Sequence, residues 1–257
     1  MNVNINKKTK LFIILGSFFI TNAIVAEFIG AKIFSLENSL GFKAFDISFF
    51  GFDHLSFQLT CGVLLWPVVF VMTDIINEYY GKKGVQLLSF IAAGMIAYAF
   101  IMVYLSMGSS PAEWWIHSGE KKSIDNMQNA FSAVFGQGLW IIIGSLFAFL
   151  IGQLIDVWVF HLIKTSSGNK YLWLRSTGST LVSQLIDSFV VLFIAFYIGN
   201  NWSLKQVLAI GLMNYIYKFT VALLITPLLY ILHNAIDKYL GDEASEKMIH
   251  SADKQSE

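Results

Sequence analysis

The 257-residue chain has no formal net charge, and 56% of its residues are hydrophobic while only 13% are charged. An average soluble domain is roughly 25% charged, so this composition excludes a water-soluble globule, and a balanced charge gives no footing for nucleic acid as a partner. Cys61 is the only cysteine, which excludes an intramolecular disulfide and a cysteine-based metal cluster; no metal and no cofactor are expected.

A helix needs about 20 mostly apolar residues to cross the hydrocarbon core. In chain order six stretches meet this length: 11–33, 59–80, 84–107, 138–160, 177–199 and 204–232. The first follows Lys7, Lys8 and Lys10 and so imitates a signal peptide, but its apolar run exceeds the roughly 7 to 15 residues usual there; it reads as a retained helix. The sequence therefore predicts an all-α polytopic membrane protein, a bundle of six transmembrane helices forming one domain over 1–257.

Cytoplasmic loops are enriched in Lys and Arg. With the termini inside, Lys7, Lys8, Lys10, Lys82, Lys83, Lys164, Lys170, Arg175, Lys238, Lys247 and Lys254 fall in inner segments, against Lys32, Lys43, Lys121, Lys122 and Lys205 outside. Both termini are accordingly expected in the cytoplasm. The outer stretches 34–56 and 108–129 are long enough for short interfacial helices, with Trp114 and Trp115 at headgroup level. The segment 241–257, with Asp242, Glu243, Glu246 and Lys247, shows no apolar face and is expected to be a frayed polar cytoplasmic tail.

Ionisable groups in a span cost about 2.5–3.5 kcal/mol each on insertion scales, so they face a cavity or a partner. Asp74, Asn77 and Glu78 share one helix face by their i, i+3, i+4 spacing, although Glu78, beside Lys82 and Lys83, also fits an interfacial helix end. The fourth and fifth spans each carry Gln-Leu-Ile-Asp, at Gln153–Asp156 and Gln184–Asp187, and a repeat of that kind between opposed spans would be related by an axis in the membrane plane. In the last span Asn214 and Lys218 lie one turn apart; an unpaired ammonium there is improbable, which makes Asp187 and Asp74 its natural partners, as a structural ion pair or a site. Glu27 either snorkels outward or joins the site. Trp66, followed by Pro67, and Trp140 are candidate cavity aromatics. The histidines, His54, His117, His161, His233 and His250, fall in loops and at helix ends, where solvation is the default.

These residues carry a resemblance. Trp66-Pro67 with the run from Thr73 through Lys83, Gly152–Val157 with Phe160, Trp173–Arg175 through Ser179–Ser188, and Asn214-Tyr215 with Lys218 resemble the vitamin uptake transporter family in its queuosine precursor branch, over nearly the whole chain. The chain departs from the family at Ser176, Thr177 and Gly178, where amides are more common after the arginine, and this counts against a role for that short turn. The resemblance implies a multi-pass protein of the bacterial cell membrane that imports 7-cyano-7-deazaguanine or 7-aminomethyl-7-deazaguanine for queuosine salvage in tRNA, so the partners are a purine-like small molecule and the lipid bilayer. It also leaves open a substrate-binding subunit of an energy-coupling factor transporter that needs a partner ATPase, or a homo-oligomer.

A 7-deazaguanine offers adjacent N–H donors that a carboxylate can accept in bidentate fashion and a flat face that an aromatic ring can cover. The expected binding set is Asp74, Asn77, Gln153, Asp156, Gln184, Asp187, Asn214 and Lys218, with Trp66 or Trp140 for stacking. Asp74 and Glu27 are the candidates for proton coupling, because burial favours the neutral form of a carboxyl group. The chain has no G-x-x-x-x-G-K-[ST] loop and neither H-E-x-x-H nor G-x-S-x-G, which argues against ATP hydrolysis and against an intramembrane enzyme. Gly144 and Ala148 form a small-xxx-small pair suited to docking another helix.

Overall fold

The computed structural model describes residues 6–49, 51–120, 123–136, 139–167 and 171–254; Lys121, Lys122 and Lys170, and Gly138 at the start of the predicted fourth span, lie outside them. Among the described residues five helical stretches are long and apolar enough to cross a membrane: Lys7–Ile29, Trp66–Gly108, Met127–Ser167, Leu172–Ile198 and Leu204–Leu240. The elements in order are α1 (Lys7–Ile29), β1 (Ile33–Ser35), α2 (Leu36–Ser39), β2 (Ile47–Phe49), β3 (Phe52–Leu55), β4 (Gln58–Thr60), α3 (Trp66–Gly108), α4 (Glu113–Ile116), α5 (Met127–Phe135), α6 (Leu139–Ser167), α7 (Leu172–Leu192), α8 (Leu204–Leu240) and α9 (Asp242–Lys254).

Helix α3 is longer than any single predicted span because the chain turns back within it at Gly81, whose φ is 70°. Such a dihedral suits a residue without Cβ, and a Cβ at Gly81 would also stand 3.1 Å from the Ala252 carbonyl. Contacts with α1 establish the reversal. The start of α1 meets the turn, where Tyr80 Oη donates to the Lys8 carbonyl at 2.7 Å and the Phe12 and Tyr80 rings lie 4.8 Å apart. Its far end meets the second arm, with Phe28 stacked on Phe100, and the turn just ahead of the first arm, with Ala26 against Gly62. The two arms contain the apolar stretches predicted as the second and third spans.

Helices α6 and α7 run antiparallel in close contact, with Gly144 facing Ala195, Gly152 facing Asp187 and Gly178 facing Ile163. This register sets Gln153 level with Asp187 and Asp156 level with Gln184, so the two Gln-Leu-Ile-Asp segments face one another head to tail. Gly144 and the buried Ala148 are spent on this internal packing rather than on a docking surface. Beyond α7 the helix widens into a π-helical stretch, Phe193–Ile198, and α8 opens on a capping box in which Ser203 and Gln206 bond reciprocally.

Two expectations fail outside the spans. The 34–56 stretch holds only the single-turn helix α2 and otherwise forms two antiparallel strand pairs, β1 with β4 and β2 with β3, because Ile33–Ser35 and Gln58–Thr60 lie side by side where α1 ends and α3 begins. Over its described part, 241–254, the tail is not frayed: α9 places Ala244, Ser245, Met248, Ile249 and Ala252 on one face, with Ser245, Met248 and Ala252 buried against the rest of the molecule. The short apolar residues recur at helical spacing, a signal that the surrounding charges masked.

Candidate functional site

A narrow cleft lies between the first arm of α3, α7 and α8. Trp66 and Pro67 stand at one end of it, Asp74 and Ser176 deep within, and Gln184 and Lys218 along its walls, with Thr177, Thr180 and Thr226 completing its polar surface. As it stands it has room for about one water molecule. Thr177 and Thr226 close it by a hydroxyl contact of 3.0 Å between α7 and α8, and Pro227, which cannot donate to the carbonyl four residues earlier, interrupts α8 at this level.

Lys218 pairs with Asp187 across α7 and α8, as its depth in the last span demanded. Asp74, 2% exposed, accepts the Ser176 hydroxyl on Oδ2, while its Oδ1 has no hydrogen-bond partner. Gln184, 3% exposed, likewise presents an Oε1 without a partner. Two residues that line the cleft thus each carry a buried acceptor without a hydrogen bond, a state that is costly unless a donor arrives. Ser176 and Thr177, set aside at the sequence level as part of a short turn, belong to the interior of α7 and line the cleft.

Behind this surface is a second layer that does not line the cleft. Gln153 Oε1 accepts the Thr73 hydroxyl at 2.9 Å, and Asp156 Oδ1 accepts the Ser183 hydroxyl at 3.0 Å; both side chains are fully buried. Asn77 Oδ1 accepts from His161 Nε2 at 3.0 Å, so His161 is a partner of the buried network and not a solvated helix end. Glu78 is buried rather than interfacial: Arg175 Nη2 donates to it at 2.6 Å and Lys164 Nζ at 3.2 Å, all three side chains being at most 7% exposed. Lys164 and Arg175 were counted with the inner loop charges. A readable signal existed, since Gln153, Asp156, Phe160 and Lys164 follow one another on one face of α6 at spacings of three and four.

The remaining predicted residues lie elsewhere. Asn214 is half-buried one turn from Lys218 and outside the cleft. Trp140 is 44% exposed and packs on the Gly199 backbone, away from the cleft, because α6 begins at the level where the π-helical stretch ends. Glu27 does not snorkel: it is 7% exposed and accepts the Ser145 hydroxyl at 2.9 Å, between α1 and α6.

Apolar helices of membrane-spanning length that enclose a polar cleft, with ion pairs buried beside it, define a multi-pass membrane transporter of a small solute. The chain belongs to the putative vitamin uptake transporter family, whose model matches residues 60–232. Among curated proteins it is similar to the probable queuosine precursor transporter of Bacillus subtilis, 31% identical over 186 residues that cover 66% of this chain and 70% of the relative. It is also 27% identical to the queuosine precursor transporter of Escherichia coli, over 74% of this chain and 80% of that one, and 24% identical to the probable queuosine precursor transporter of Haemophilus influenzae, over 76% and 77%. No solved structure matches.

Proposed function

We propose that this transporter imports 7-deazaguanine precursors of queuosine, 7-cyano-7-deazaguanine or 7-aminomethyl-7-deazaguanine, and binds them in the cleft between α3, α7 and α8. The observation that carries the reading is the pair of buried acceptors without a donor, Asp74 Oδ1 and Gln184 Oε1, on two residues that line the cleft. The pyrimidine edge of a deazaguanine supplies adjacent N–H donors to Asp74, Trp66 offers a ring for its flat face, and the Lys218 ammonium, held by Asp187, can donate to its carbonyl. The names of the relatives point to the same substrate class.

Because the empty cleft holds about one water, admission of a bicyclic ligand requires α8 to part from α3 and α7, and the interruption at Pro227 is where α8 bends most easily. In the same reading the two arms of α3 cross separately, which gives six crossings, and the distribution of Lys and Arg sets both termini in the cytoplasm.

The test is uptake in a bacterial host that lacks its own importer and cannot synthesise the precursor. With this chain expressed and 7-cyano-7-deazaguanine supplied, queuosine should reappear in tRNA. No queuosine, with the protein demonstrated in the membrane, would remove this substrate.

A further inference from the structure

The layer behind the cleft contains acids that substrate recognition does not use. Asp156, on α6, is 0% exposed; Ser183 donates to its Oδ1, and its Oδ2 has no hydrogen-bond partner. Asp74, on α3, repeats the arrangement with Ser176 on Oδ2 and an unpartnered Oδ1. The two carboxylates sit on helices tied together by the Thr73–Gln153 hydrogen bond of 2.9 Å, one residue from Asp74 on α3 and one turn from Asp156 on α6. Each thus has one oxygen bonded to a serine of α7 and a second oxygen without a hydrogen bond, although the Ser179 and Thr180 hydroxyls of α7 also act on Asp156; an unmet carboxylate oxygen is costly in such surroundings.

The charges around the pair do not balance it. Glu78, from the same helix as Asp74, takes hydrogen bonds from Arg175 on α7 and Lys164 on α6, and Arg175 also acts on Asp74 through its charge. His161 on α6 is bonded to the amide of Asn77, and Lys218 on α8 is paired with Asp187. Asp187 and Lys218 cancel; among the described residues the three acids Asp74, Asp156 and Glu78 have the two cations Arg175 and Lys164 to set against them. One bound proton removes the surplus negative charge, and two unpartnered carboxylate oxygens are where it can be held.

From this geometry we infer that Asp156, together with Asp74, forms a proton-binding site coupled to transport, so that the chain is a proton–solute symporter. The inference rests on the substrate reading above. Asp74 is the shared element, since it lines the cleft. When substrate N–H groups donate to Asp74, that carboxylate must stay ionised, and the proton is confined to Asp156 Oδ2. The loaded site then carries no surplus charge, whereas the site with substrate alone does. No bond other than the O–H bond of the carboxyl forms or breaks: the proton enters from the outer solution and leaves to the inner one.

The experiment uses the full chain in proteoliposomes that contain a trapped pH dye, with the membrane potential clamped by valinomycin and equal potassium. Exchange of labelled against unlabelled 7-cyano-7-deazaguanine without a gradient tests the substrate reading alone. An outer pH one unit below the inner should then drive about tenfold accumulation at one proton per substrate, with acidification of the lumen that depends on substrate. Asp156→Asn resembles the protonated carboxyl; it should retain exchange while losing both the accumulation and the acidification, and Asp156→Glu should restore them at least in part. Exchange without proton movement in the wild-type protein would overturn the coupling and leave the substrate reading intact. An Asp156→Asn variant that still accumulates substrate would overturn the assignment to Asp156. Absence of exchange in the wild-type protein would remove the substrate reading and this inference with it.

Discussion

Lys218 and Asp187 were legible as partners because a lone ammonium deep in an apolar span has few alternatives. Removing one partner of a buried pair costs about 3–5 kcal/mol; with Lys218 11% and Asp187 21% exposed, the lower end is expected. Asp187→Asn should therefore abolish uptake and also lower the melting temperature in detergent. The double variant Asp187→Leu, Lys218→Met should regain most of that thermal stability without regaining uptake; recovery of transport would mean that the pair only fixes helix register. Arg175 and Lys164 were not legible, because a basic residue near a span end reads as a loop charge until the packing of α3, α6 and α7 brings Glu78 between them. Arg175→Ala leaves Glu78 with half of its charge partners in a buried site, and the expected result is a sharp fall in the amount of folded protein, measured by fluorescence-detected gel filtration. Outside the membrane-spanning helices, burial pushes the Glu37 carboxyl up, but the backbone N–H of Phe57, at 2.8 Å, and further hydrogen bonds outweigh it and hold the carboxyl below the ordinary glutamate range. That contribution is complete above the unfolded value and is lost as pH falls through the folded one. The protection of the Phe57 amide, its exchange relative to the intrinsic rate at each pH, should accordingly fall in acid, and should be low at all pH in Glu37→Gln.

At the scale of elements the apolar stretches fixed the helices, and most of their ends fell within a few residues of the predicted ones. The exceptions have local causes. Helix α7 starts at Leu172 rather than 177 because Arg175, Ser176 and Thr177 find buried partners, which a hydropathy window cannot register. Helix α9 is held by Asp237, whose Oδ1 accepts from Tyr79 Oη at 2.7 Å and from the Ser245 hydroxyl, and by Ala252 against the Gly81 turn. Gly81→Ala combines a positive φ, which costs roughly 1–2 kcal/mol for a residue with Cβ, with a close approach to the Ala252 carbonyl. It should lower the melting temperature more than Gly94→Ala, since a Cβ at Gly94 meets nothing. Truncation after Leu240 should relieve the Gly81→Ala defect in part, since the Ala252 contact is then gone; an undiminished defect would place its origin in the backbone dihedral alone.

For the whole molecule the decisive question is sidedness. Lys7 Nζ donates to the Tyr239 carbonyl at 3.0 Å, so the start of α1 and the end of α8 lie together at one end of the bundle, the end that also carries the Gly81 turn. In a Cys61→Ser background, a cysteine at Trp114 should react with a membrane-impermeant maleimide in intact cells, and one at Lys247 only after lysis. The reverse labelling would invert the orientation and, with it, the side from which the cleft is loaded.

Hydropathy and charge by themselves determined that this chain is a multi-pass membrane protein and which stretches are apolar enough to cross, because the cost of exposing a polar backbone or an unpaired charge to hydrocarbon is large and depends on local sequence. They also determined which polar residues had to be explained. Which of those residues share a cleft was decided only by the tertiary structure. Two residues on one helix face can meet different neighbours: the register of α6 on α7 turned Asp156 to Ser183 and left Gln184 to the cleft, and the approach of α8 brought Lys218 to Asp187 and not to Asp74. Such contacts join residues tens to more than a hundred positions apart, and their energies depend on distances that no spacing within one helix contains.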